Sequence, residues 1–170
     1  YAIAAKVPML EPADPAEAKA FAKLAFELSE TYDTPVLLRT CTRIAHCQSV
    51  VSLEERKVRP LPPYQRNPQK YIMAPAMAQK KHPFVEERTA RLAQYAETAP
   101  INRVERCESS KLGIICAGTC YQYVKEVFGD TVNVLKLGMI HPLPTDLIRN
   151  FAAMVDRVVV VEELDGIIEQ

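Results

Sequence analysis

The chain has 170 residues, 48% of them hydrophobic, enough for one domain with a real core or for one small domain and part of another. Lys and Arg number 21 and so do Asp and Glu, so the zero net charge leaves no electrostatic footprint for nucleic acid or an anionic membrane surface. No apolar run approaches the roughly 20 residues that span a bilayer and no signal-peptide pattern opens the chain, so a soluble, cytoplasmic protein is expected.

Residues 1–51 read as part of an α/β domain. Tyr1 is not a start methionine and the far end runs off strand-like sequence, so a piece of a longer protein is expected. Asp14-Pro15-Ala16-Glu17 is a helix start: Asp caps, Pro takes the first helical position, and Glu three residues on reaches back. Ala18, Phe21, Ala22, Ala25 and Leu28 then recur at helical spacing, and Pro35 predicts an end near Tyr32. Val36-Leu37-Leu38 is a short apolar run that predicts a buried strand of a parallel sheet.

Residues 52–106 read as an interdomain connection. Pro60, Pro62, Pro63, Pro68, Pro75 and Pro83 rule out one long helix or a central strand, and predict an extended surface connection followed by one helix from about Pro83 to Glu97. Glu87 and Arg91, four residues apart in that helix, predict a weak surface pair.

Residues 107–170 are the most regular. Leu112 to Cys116 predicts a buried strand, Ala117-Gly118-Thr119 a tight turn, and Tyr121, Val124, Val127 and Phe128 one face of a helix ended by Gly129. Val132 to Leu137 is a second strand, Thr145 caps a helix with Leu147, Ile148, Phe151 and Met154 inward, and Arg157 to Val161 is a third strand. Strand–helix–strand–helix–strand with continuous apolar strands predicts a parallel, doubly wound sheet.

Among groups that carry chemistry, the cluster Arg39, Thr40, Thr42, Arg43 and His46 follows a strand and offers cations and hydroxyls to a carboxylate or phosphate. An equally open reading makes it an anchor where the chain leaves the first domain. The Gly118 turn lacks both G-x-G-x-x-G and a P-loop, so it reads as structural. Glu162 and Glu163 follow the third strand as either a positioned acid or a solvated strand end; His141 reads as a loop residue and His82 as a helix-start residue. The five cysteines, Cys41, Cys47, Cys107, Cys116 and Cys120, form no C-x-x-C pair and read as free thiols, with Cys116 an inert core thiol and no metal site.

Read as phrases, the chain resembles the indolepyruvate:ferredoxin oxidoreductase alpha-subunit family. Ala5-Lys6-Val7-Pro8-Met9-Leu10-Glu11-Pro12, Tyr32-Asp33-Thr34-Pro35-Val36-Leu37-Leu38-Arg39-Thr40 and Thr42-Arg43-Ile44-Ala45-His46 resemble the end of its first domain. Arg66-Asn67-Pro68-Gln69-Lys70-Tyr71 and His82-Pro83-Phe84-Val85-Glu86-Glu87-Arg88 resemble its connecting segment. Leu112-Gly113-Ile114-Ile115, Leu135-Lys136-Leu137-Gly138-Met139 and Val160-Val161-Glu162-Glu163-Leu164-Asp165 resemble its next domain, of the transketolase C-terminal type.

The resemblance implies the end of a pyrimidine-side thiamine domain over 1–51, a connection over 52–106 and a transketolase C-terminal-like domain over 107–170. It implies thiamine diphosphate, Mg2+ and [4Fe-4S] clusters in the parent protein, with none bound to this piece, which lacks a Gly-Asp-Gly stretch and a cysteine run. It implies oxidative decarboxylation of an arylpyruvate to aryl-acetyl-coenzyme A with reduction of ferredoxin, in a heteromer with a beta subunit, and a piece inactive by itself. Arg43 and His46 are its catalytic candidates, and Thr40 and Thr42 its cofactor-binding candidates. Two alternatives stay open: a fragment of a transketolase-like or other 2-oxoacid dehydrogenase, and a non-catalytic assembly module.

Overall fold

A computed structural model describes residues 1–56, 58, 60–61 and 63–170, so the break expected at Pro62 lies outside the described residues. In chain order the elements are α1 (Ala2–Ala5), β1 (Met9–Leu10), α2 (Pro15–Tyr32), β2 (Leu37–Leu38), α3 (Thr42–His46), α4 (Pro68–Tyr71) and α5 (Pro75–Thr98). Then come β3 (Arg103–Glu105), β4 (Leu112–Ala117), α6 (Cys120–Phe128), β5 (Asn133–Leu137), β6 (Met139–His141), α7 (Thr145–Ala152) and β7 (Arg157–Val161).

The strands form two sheets among the described residues. The larger has the order β3-β5-β4-β7, with β4 parallel to both β5 and β7 and β3 antiparallel on its edge. Its faces alternate with the pleat: Ile114, Cys116 and Val134 pack with Cys120 and Val124 of α6, whereas Ile115, Ala117, Leu135 and Leu137 pack with Phe151 of α7. Burial of both faces explains the continuous apolar strands, and the α/β, doubly wound class read from them holds. Tyr121 donates to Glu105 at 2.7 Å and Lys125 pairs with it at 3.0 Å, tying α6 to the edge strand.

The smaller sheet has the order β2-β1-β6, parallel between β1 and β2 and antiparallel between β1 and β6. It joins the first stretch to the third. A core of Leu10, Phe21, Leu28, Leu92, Ala96 and Met139 gathers side chains from β1, α2, α5 and β6. Arg88 of α5, buried, donates to the carbonyls of Asp33 and Lys6 at the ends of α2 and α1.

Several elements follow their sequence signals. Asp14 accepts the Glu17 N–H at 2.8 Å, Pro15 is the first helical residue, and α2 ends at Tyr32. Glu17 reaches back one residue further than a capping box requires, to the Ala13 N–H at 2.8 Å.

Other expectations are corrected. The Val36–Leu38 run forms the two-residue β2, but Leu37 is exposed because the strand pairs on one side only. The helix expected from Pro83 begins two turns earlier, at Pro75, and Pro83 lies inside it. Proline removes one helical N–H, that to the Gln79 carbonyl, and Gln79 is an exposed residue. Val127 faces solvent, and Cys120 takes the inward place. Thr145 is the first residue of α7 rather than its cap; the Glu97 carboxylate, at the end of α5, accepts the Asp146 and Leu147 N–H groups. Arg91 lies over the Tyr32 ring, 5.7 Å from its centroid, and no Glu87–Arg91 ion pair forms among the described residues. The 47–67 segment carries no helix or strand at its described positions, and Lys19 and Lys23 tie it to α2 through the Ser52 carbonyl and Glu54.

Candidate functional site

The carboxyl ends of β1, β2, β4 and β7 converge, which is where open α/β sheets build crevices. Glu11 follows β1, Arg39 follows β2, Gly118 follows β4, and Glu162 and Glu163 follow β7. Arg39 donates from Nη1 to Glu11 Oε2 at 3.2 Å and from Nη2 to the Glu163 carbonyl at 3.3 Å. Burial raises the Glu11 carboxyl above the ordinary carboxylate range; Arg39 opposes that rise, and Glu163 and Glu162 add to it. Gly118 has φ +54°, and a Cβ there would run into the Glu11 carboxylate. The structural reading of this turn therefore has a cause: bare backbone must meet a buried acid.

This convergence leaves only a cavity of about 10 Å³. Glu162 is not a free acid within it. Its carboxylate accepts the backbone N–H groups of Ile167, Ile168 and Glu169, holding the turn after β7.

Beside the clamp lies a larger groove of about 220 Å³. Ala13, Asp14 and Pro15 from the start of α2 line one wall; Arg43, Ile44 and Cys47 of the α3 region line another; Thr119, Gln122 and Tyr123 of the α6 region complete it. Ile44 is buried and anchors α3, and the Cys41 thiol meets the Thr119 hydroxyl at 3.5 Å. Such anchoring turns Arg43 toward α6, its guanidinium 5.5 Å from the Tyr123 ring centroid.

The structure thus separates the cluster read from sequence. Arg39 is a clamp between two sheets, Arg43 enters the groove, and Thr40, Thr42 and His46 are exposed and do not line it. His82 lies inside α5, not at its start, and its Nε2 is 3.1 Å from Glu86. His141 ends β6 with a buried Nε2 that has no partner among the described residues, and burial, then Lys6, lower its pKa. Cys116 is buried, which pushes its thiol up to about 12 and makes it inert.

Sequence reasoning missed a second charged center. Lys136 of β5 has no exposed surface, and its Nζ lies 2.5 Å from Glu17 Oε2 and 4.8 Å from the Phe21 ring centroid. Glu17 also pairs with Arg103 at 3.1 Å through Oε1. Burial lowers the Lys136 pKa, against the pull of Glu17. A lysine inside the apolar run Val134-Leu135-Lys136-Leu137 was the available signal, since a buried charge needs a partner.

Among the described residues no three His, Cys, Asp or Glu side chains are grouped to hold a metal ion, and no helix is long and apolar enough to cross a membrane. No protein-family profile matches the chain. It is similar to the indolepyruvate oxidoreductase subunit IorA of Methanothermobacter marburgensis, 40% identical over 100% of the chain and 28% of that protein. The subunits of the same name from Pyrococcus horikoshii and Archaeoglobus fulgidus are 39% and 37% identical over 98% and 99% of the chain. The chain spans about 28% of the length of these relatives. Its fold is similar to part of a 2-oxoglutarate:ferredoxin oxidoreductase from Magnetococcus marinus, solved with 2-oxoglutarate, coenzyme A and succinyl-CoA bound. The TM-score is 0.54 at 15% identity, over 90% of this chain and 34% of that one, a likeness of fold alone.

Proposed function

We propose that this chain, similar along its whole length to indolepyruvate oxidoreductase subunit IorA, is part of an enzyme that oxidatively decarboxylates arylpyruvates to aryl-acetyl-coenzyme A and reduces ferredoxin. The observation that carries the reading is similarity to that subunit along the whole chain, 40% identical to one relative. The organisation that goes with it is the end of a pyrimidine-side domain over 1–51, a connection over 52–106 and a transketolase C-terminal-like domain over 107–170. The working protein is a cytoplasmic heteromer with a beta subunit, and ferredoxin, coenzyme A and the arylpyruvate are its partners.

Thiamine diphosphate supplies the carbanion and electron sink of such an oxidation, with Mg2+ holding its diphosphate and [4Fe-4S] clusters carrying the electrons. The buried and half-buried carboxylates here do not fit that metal. Glu11 is engaged by Arg39, Glu17 by Lys136 and Arg103, and Glu162 by three backbone N–H groups. We therefore assign those groups to other parts of the longer protein. This chain's share is to join sheets and present the 40–46 segment. Arg43 and His46 are our candidates for contact with substrate or coenzyme A, and Thr40 and Thr42 our weaker candidates for cofactor contact.

An assembly role for the same residues is favoured by the β1–β6 pairing and by the Arg39 clamp, which join distant stretches of chain.

The test is an assay of the full-length subunit with its beta partner, under anaerobic conditions. Indolepyruvate and coenzyme A together should drive reduction of ferredoxin or of methyl viologen, and omission of either should abolish it. Reduction dependent on lipoamide instead, or no turnover of any arylpyruvate by an assembled, cofactor-loaded complex, would overturn the reading.

A further inference from the structure

We propose that the groove between α2, α3 and α6 binds a flat aromatic group that carries an anion, with Arg43 supplying the cation; this rests on the enzyme reading above and names a site within it. Three features of the groove converge on that ligand class. Its volume, about 220 Å³, lies below the roughly 300–1,000 Å³ of pockets for drug-sized molecules. It accepts a ring system rather than a whole cofactor.

Its walls are mostly apolar: Ala13, Pro15, Ile44 and the Tyr123 ring. An aromatic face buries well against such a surface, and Tyr123 offers a ring for stacking. Arg43 then supplies the selectivity. Its guanidinium lies over Tyr123 and has no carboxylate partner among the described residues, so its in-plane N–H donors are open to an anion at the groove's mouth.

The one acid in the wall does not cancel that charge. Asp14 Oδ1 accepts the Glu17 N–H and Oδ2 accepts from the Gln122 amide at 3.4 Å, and the start of α2 partly offsets its charge. Two sources carry this shared chemistry under the proposed function: an arylpyruvate, with ring and carboxylate, and the adenine end of coenzyme A, with ring and phosphate. The alternative occupant is a protein segment docking on the same face.

The experiment uses the full-length subunit assembled with its beta partner. Arg43→Gln removes the cation, and Cys47→Trp fills the groove from its exposed rim without touching the core. Both variants should raise one Michaelis constant, for indolepyruvate or for coenzyme A, by about tenfold, the size of one lost charged contact. The other constant should stay within about twofold, and the constant that moves identifies the source.

Calorimetry with indolepyruvate and with adenosine 3′,5′-bisphosphate separates this proposal from the enzyme reading. Wild-type protein should bind one of the two and the Cys47→Trp variant should bind it about tenfold more weakly, whether or not turnover is seen. Binding of neither probe to wild type, or unchanged constants in both variants, overturns the groove proposal while leaving the activity standing. Loss of assembly with the beta subunit on gel filtration, with the constants of residual complex unchanged, assigns the face to a protein partner and overturns it as well.

Discussion

His141 shows how one buried atom sets a pH response. The ring ends β6, its Nε2 is buried without a partner among the described residues, and burial together with Lys6 lowers its pKa. A base whose folded pKa is depressed contributes stability that is full above its unfolded value, about 6.5, and is lost as pH falls toward and through the folded value. Urea midpoints of the chain should therefore decline between about pH 7 and pH 5. His141→Gln should flatten that decline; an unchanged slope would assign it to other groups. The sequence marked His141 as a loop residue. It could not mark the orphaned nitrogen, because orphaning depends on what packs around the ring.

Elements behave in the same way, legible where the signal is local and opaque where the partner is distant. The Asp14-Pro15-x-Glu17 start and the Tyr32 end of α2 were both readable, because a cap and the residue before Pro35 act over a few residues. The start of α7 was not. Glu97 lies 49 residues before Asp146 in sequence, yet its carboxylate accepts the N–H groups of Asp146 and Leu147. Glu97→Ala should lower stability by about 1 kcal/mol, the usual worth of a cap, with hydrogen exchange rising first at 145–148. Protection unchanged there would show that water caps the helix equally well. Likewise β3 and β1, with three and two residues, carry too little periodicity to be read alone, and exist because β5 and β6 pair with them.

For the whole molecule, long-range charge pairs do the joining. Lys136–Glu17 spans 119 residues and links the larger sheet to α2, while Arg39 spans 124 to reach the Glu163 carbonyl. A buried pair adds little net stability, but removing one partner strands the other charge, at about 3–5 kcal/mol. Glu17→Ala should destabilise by that order, more than Lys136→Met, because Arg103 still partners Glu17 in the second variant. The double variant should recover part of the loss in urea denaturation. Strict additivity of the two single changes would remove the pair from any role in joining these layers.

The sequence by itself determined the α/β class, the doubly wound order of 107–170, the cap of α2 and the family resemblance, since each is written in neighbouring residues or in phrases that survive as text. Only the tertiary structure decided that Arg39 is a clamp, that Arg43 alone of its cluster enters a groove, and that Lys136 needs Glu17. Those roles follow from which side chains meet across 28 to 124 residues of chain. Pairing, burial and the fate of an unpaired charge are properties of the packed molecule, and no local pattern encodes them.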